Sequence, residues 1–105
     1  MIKMTPFTHQ VITIIQKIPP GKVMTYGQIA REAGNARAAR QVVRVLHSMS
    51  QKYNLPWHRV INAKGELAIP DEATNWEQRI RLEAEDVQVT LNGRVDLQKY
   101  QWFPS

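Results

Sequence analysis

The chain contains no cysteine, so whatever fold it takes must be held by apolar packing and hydrogen bonds, without disulfides or zinc-thiolate clusters. In 105 residues that allows one modest core, and residues 1–105 are expected to form a single domain. The same absence removes every mechanism that needs a thiolate nucleophile. A hydrophobic share of 43% with only 5 Gly and 6 Pro describes an ordered globule rather than a disordered tail. Lys and Arg total 14 against 9 Asp and Glu, a formal charge of +5 that suits a polyanion or an anionic surface. No apolar run is long enough to span a bilayer and no signal-peptide core is seen. A cytoplasmic protein without a membrane partner is expected, associated with the nucleoid if the source is bacterial.

Within that frame the chain reads as short helices divided by strong stops. Thr5-Pro6 is a cap followed by the residue best suited to a first helical turn, and Phe7, Val11, Ile14, Ile15 and Ile18 recur at helical spacing until Pro19-Pro20-Gly21 ends the run. Thr25-x-x-Gln28 is a capping box that opens a brief helix ending at Gly34, after which Asn35 is expected to cap a helix from about Ala36 to Met49. At about 100° per residue that helix has Ala39, Val42, Val43, Leu46 and Met49 on one face and Arg37, Arg40, Gln41, Arg44 and Ser48 on the other. Two short helices joined by a Gly-Asn turn, the second with a basic stripe, suggest a helix-turn-helix. A surface helix whose arginines are merely solvated stands level with it at this point.

Further on, Val60-Ile61 and Leu67-Ala68 flank Lys64-Gly65 as a small hairpin would. Thr74-x-x-Glu77 resembles a second capping box, leading a helix with Trp76, Ile80 and Ala84 inward. Val87, Val89, Leu91, Asn92-Gly93, Val95 and Leu97 suggest a terminal hairpin, and Trp102 and Phe103 an anchor for the chain end. The expected fold class is mostly α with a small β-hairpin: one helix-turn-helix domain of winged-helix type.

Ile18-Pro19-Pro20-Gly21, Thr25-Tyr26-Gly27, Ala38-Ala39-Arg40 and Pro56-Trp57-His58-Arg59-Val60 follow one another in fixed order at tight spacing. Together they resemble the DNA-binding domain of O6-alkylguanine-DNA alkyltransferases over residues 5–86. Those enzymes carry Pro-Cys-His-Arg-Val, whose cysteine accepts the alkyl group. This chain has Trp57 there and is most similar to the alkyltransferase-like proteins, which share the replacement. The resemblance implies minor-groove binding through Thr25, Tyr26, Arg37, Ala38, Ala39, Arg40 and Arg44. Tyr26 would crowd a phosphate and help rotate a nucleotide outward, and Arg40 would fill the stack it leaves. Extrusion costs a few kcal/mol, part of which a planar cation in the gap offsets. The resemblance also implies a lesion pocket among Tyr26, Leu46, Pro56, Trp57, His58, Val60 and Glu85. In the enzymes His58 and Glu85 correspond to the pair that activates the cysteine. Here they are expected to be structural or to hydrogen-bond within the pocket, and Arg59 to fix the loop.

The implied function is a non-enzymatic sensor that binds O6-alkylguanine in duplex DNA by nucleotide flipping and flags it for nucleotide excision repair proteins, as a monomer and with neither cofactor nor metal. The alternatives are a helix-turn-helix regulator of undamaged operator DNA, and an enzyme in which His58 and Glu85 activate water. Three features depart from the family pattern. The glycine after Arg-Ala-Val is absent from Arg40-Gln41-Val42-Val43-Arg44. Ile69-Pro70-Asp71-Glu72 replaces a Tyr-x-Gly-Gly pocket loop. The asparagine upstream of the acceptor cysteine has no counterpart in Ser48 to Asn54.

Overall fold

The first helix starts where its chemistry requires. In this computed structural model, which describes residues 4–104, the Thr5 side chain accepts from the Thr8 amide and Pro6 opens α1 (Pro6–Gln16). Val11, Ile12 and Ile15 are buried along its inner face, and Ile18 is buried just past its end. The box at Thr25 forms in both directions: Thr25 Oγ1 accepts from the Gln28 amide at 3.1 Å and Gln28 Oε1 from the Thr25 amide at 3.3 Å, starting α2 (Tyr26–Glu32). Gly34, at φ 100°, turns the chain out of α2 in a backbone region that favours glycine.

The next helix begins later than the sequence suggests. The Asn35 side chain accepts from the Arg37 amide at 3.1 Å and shapes a turn instead of capping a helix. α3 therefore runs from Ala39 to Tyr53 behind Ala38, which supplies no side-chain cap. Its buried stripe is Val42, Val45 and Met49, so Val45 takes the inward place expected of Val43, which with Leu46 is half-buried. α1, α2 and α3 close over one apolar cluster that includes Val11, Ile15, Ile29, Val42 and Val45.

The strands pair differently from either expected hairpin. β1 (Met24–Thr25) runs parallel to β2 (Val60–Ile61), with Met24 opposite Val60 and Thr25 opposite Ile61. Alternation divides them between two cores. Met24 and Val60 join the helical cluster, while Val23 and Ile61 join a second one with Leu67, Leu82, Val87, Val95 and Tyr100. The hairpin at Lys64-Gly65 fails because Asn62 Oδ1 takes the amides of Lys64 and Glu66 at 3.0 and 2.8 Å. Leu67 then donates to Gly93 O and Val95 to Gly65 O, each at 2.8 Å. The Asn92-Gly93 turn forms, but its flanks do not pair as strands: Arg94 bridges to Glu66, and Asp96 caps α5 (Leu97–Tyr100). The fold is mostly helical with a small two-stranded sheet, and that sheet is parallel.

The last long helix carries the largest correction. α4 (Glu72–Ala84) is capped by Asp71, whose Oδ2 receives the Thr74 amide and hydroxyl at 2.9 and 2.6 Å, so Thr74 is inside the helix. Gln78 and Leu82 face inward, while Trp76 and Ile80 are 61% and 50% exposed and Ala84 is also exposed. Apolar residues four apart mimic an inner stripe, whereas the inner face is built on a glutamine. Gln78 Nε2 donates to His58 O at 3.2 Å and to Val60 O at 3.1 Å, satisfying carbonyls that a leucine would leave bare. At the chain end Trp102 is half-buried and its amide donates to Val23 O at 2.8 Å, but Phe103 is exposed.

Candidate nucleic-acid interface

Arg37, Arg40 and Arg44 are all exposed, Arg37 in the turn before α3 and the other two on its first turns. An uncapped helix start leaves backbone amides to solvent at the positive end of the helix dipole, so this end of α3 favours anions before any side chain is counted. Ala38 and Ala39 are half-buried beside it. Tyr26 is the first residue of α2, half-buried against the helical cluster, and burial raises its phenol pKa. Thr25, also expected at the interface, is buried and holds Tyr26 in place through the capping box.

α3 leads directly to the other group of expected residues. Asn54 ends it at φ 50° and ψ 48°, a left-handed conformation that asparagine tolerates better than most, and the reversal delivers Leu55 to the core and Pro56-Trp57 to the surface. Trp57 is half-buried at the head of a short 3₁₀ turn, Trp57–Arg59. His58 meets its ring edge-on, with centroids 6.3 Å apart. The Arg81 guanidinium carbon stands over the indole, 5.5 Å from its centroid. Leu46 and Pro56 are half-buried, while Val60 lies wholly in the core. None of these residues lines a surface hollow of about 520 Å³ that is bounded by Ile69, Pro70, Glu72, Asn75, Trp76 and Arg79. Its α4 residues project from the flank roughly opposite Arg81.

Glu85, the C-cap of α4, ties this loop to the rest of the molecule. It accepts from the Gly21 amide at 3.0 Å, from Arg59 Nη2 at 2.6 Å and Nε at 3.0 Å, and from His58 Nε2 at 2.8 Å. Arg59 also donates to Ile18 O at 2.8 Å, so one guanidinium joins the loop, the end of the first helical segment and α4. This is the loop-fixing arrangement expected of Arg59. Burial alone would raise the Glu85 pKa, but the Arg59, Gly21 and His58 donors outweigh it and hold it at about 2. Burial lowers the His58 pKa against the opposing pull of Glu85. The neutral ring then carries its hydrogen on Nε2, facing the carboxylate, and buried Nδ1 has no hydrogen-bond partner among the described residues.

Both groups bind protons more readily in the unfolded chain, so stability falls in acid. The Glu85 contribution is complete above about pH 4.5 and is lost as pH drops toward about 2. Urea midpoints for the protein and for Glu85→Gln should therefore converge between pH 5 and 3; a gap of constant size would contradict this.

The sequence reading missed Arg81, although Glu77 and Arg81 have the i,i+4 spacing of a helical ion pair; they are 2.7 Å apart. It also missed Gln78, whose signal was a polar residue at an inward helical phase. Among the described residues no group of three His, Asp or Glu could hold a metal ion, and no helix is long and apolar enough to cross a membrane.

Residues 6–87 match the family described as the 6-O-methylguanine DNA methyltransferase DNA-binding domain. The DNA base-flipping protein of Vibrio parahaemolyticus is 40% identical over 101 residues, covering 96% of this chain and 100% of the relative. Alkyltransferase-like protein 1 of Schizosaccharomyces pombe is 36% identical over 108 residues, covering 98% of this chain and 100% of that one. A crystal structure of the S. pombe protein Atl1 in complex with damaged DNA containing O6-carboxymethylguanine superposes with a TM-score of 0.84 at 38% identity, covering 98% of this chain and 100% of the other.

Proposed function

Because the chain belongs to the O6-alkylguanine-DNA alkyltransferase family, in its alkyltransferase-like branch, we propose that it is a DNA damage sensor that binds an alkylated guanine and leaves it unrepaired. The observation that carries this reading is Trp57. By the resemblance of Pro56-Trp57-His58-Arg59-Val60 to the family's Pro-Cys-His-Arg-Val it takes the place of the acceptor cysteine, in a chain that has no cysteine. An indole cannot accept an alkyl group as a thiolate does, but it offers a flat apolar face to a base. A relative named a DNA base-flipping protein, and the structure of Atl1 in complex with damaged DNA, support the assignment.

In the proposed mechanism, α3 approaches the minor groove with its amino end toward the phosphates, and Arg37 and Arg44 neutralise backbone charge. Tyr26, rigid at the start of α2, crowds a phosphate as the nucleotide rotates outward, and Arg40 enters the gap. The extruded base meets Trp57, in a pocket shared with Tyr26, Leu46, Pro56, His58 and the Glu85 side. Glu85 and Arg59 position the loop, and His58 has no nucleophile to activate. The complex, formed by a monomer whose 105 residues act as one domain, then marks the site for nucleotide excision repair. The expected setting is the cytoplasm, on the nucleoid if the source is bacterial.

With a fluorescent base analogue beside the lesion, Arg40→Ala should lose more of the extrusion signal at saturating protein than Arg44→Ala. Arg44→Ala should instead weaken damaged and undamaged duplexes alike and reduce the salt slope by about 0.9. Equal loss of extrusion in the two variants would reduce Arg40 to a backbone contact.

A further inference from the structure

Arg81 is placed oddly for a solvated arginine. Its guanidinium covers the indole of Trp57, with its carbon 5.5 Å from the ring centroid, while its side chain remains about half exposed. Its Nε and Nη2 both reach Glu77 Oε2, at 2.9 and 2.7 Å, so the cation already carries a carboxylate from one turn earlier on α4. Both partners of that pair are about half exposed, and pairs of this kind contribute little on a helix surface. The nearby Arg59 offers no such opportunity, because its guanidinium is committed to Glu85 and Ile18 O. Arg81 is the cation beside Trp57 whose partner can be exchanged at little cost.

We infer that Arg81 determines specificity, favouring O6-alkylguanines whose substituent ends in an anionic group, with Glu77 holding the place that the substituent's carboxylate takes. The inference rests on Trp57 receiving the flipped base. A base stacking there displaces the guanidinium toward the rim of the indole, where a carboxylate on a short alkyl arm meets the planar donor fork and replaces Glu77. A neutral substituent of equal size gains the stacking but leaves Arg81 with Glu77, so the preference is a ratio set by one charge.

The test compares three otherwise identical duplexes carrying guanine, O6-carboxymethylguanine or its isosteric neutral amide, O6-carbamoylmethylguanine. The unmodified protein should bind the carboxymethyl duplex about threefold more tightly than the amide duplex. Arg81→Gln should bring that ratio to about one, and Glu77→Gln, which frees the guanidinium, should raise it about twofold. Both side chains are about half exposed on the helix surface and both variants keep a polar side chain there, so opposite shifts cannot arise from a common loss of folding. A ratio near one in the unmodified protein, or unchanged in Arg81→Gln, overturns the inference while the sensor reading stands. Loss of affinity for all three duplexes in equal proportion makes Arg81 a phosphate contact and also overturns it. Failure of both lesions to bind better than guanine overturns the inference and the sensor reading together.

Discussion

Arg59→Ala should lower folding stability by about 2–3 kcal/mol. Removing one partner of a fully buried ion pair typically costs about 3–5 kcal/mol because the other charge is left without compensation. Here the side chains of Arg59 and Glu85 retain 15% and 16% exposure, which puts the expectation below that range. Glu85 would keep the Gly21 amide and His58, but Ile18 O would lose its donor and the loop its link to the end of the first helical segment. Arg59→Lys should recover little, since an ammonium cannot reproduce the two-pronged contact with the carboxylate and still reach Ile18. Urea unfolding at neutral pH measures this directly; a loss below about 1 kcal/mol would show that the cluster is ornamental.

The second large effect concerns recognition. Trp57→Ala should leave binding to undamaged duplex close to that of the unmodified protein, because the arginines of α3 are untouched. It should lower the preference for alkylated guanine about tenfold, within the roughly 1–3 kcal/mol that one base stacking on an aromatic contributes. Paired titrations of damaged and undamaged duplexes give the ratio. An unchanged ratio would make Trp57 a packing residue of the 3₁₀ turn. A parallel loss on both duplexes would mean that the loop had collapsed, and the urea midpoint of the variant tests that independently.

The helix-turn-helix was legible because its signals are local. Thr25 and Gln28 satisfy one another three residues apart, and Gly34 ends α2 through its own backbone freedom. The motif series that carried the family resemblance was legible for the same reason: its residues sit in fixed order along the chain. What escaped was decided at long range. Val60-Ile61 pairs with Met24-Thr25 because both strands must divide their side chains between two cores, and no local pattern encodes a parallel partner so distant in sequence. The inner face of α4 was hidden because Gln78 is inward for the sake of two carbonyls belonging to another segment. Asn35 and Thr74 both look like helix caps, but a turn at Asn35 and an earlier cap at Asp71 displaced the true starts by about one turn. Within the candidate site, Trp57, His58 and Arg59 were named from the motif and Glu85 from its family counterpart. The Gly21 amide on Glu85 and the Arg81 guanidinium on Trp57 required the folded chain.

One titration separates a sensor that leaves the lesion in place from an operator-binding protein or an enzyme. Labelled duplexes of one sequence, with guanine or an O6-alkylguanine at the same position, are titrated with the protein at fixed salt. The DNA is then recovered and its mass determined. The alkylated duplex should bind more tightly, with the alkyl group still on the base and both strands intact after prolonged incubation. Equal affinity for the two duplexes, as expected of a protein that reads undamaged operator DNA, would contradict it, and so would recovery of dealkylated or cleaved DNA.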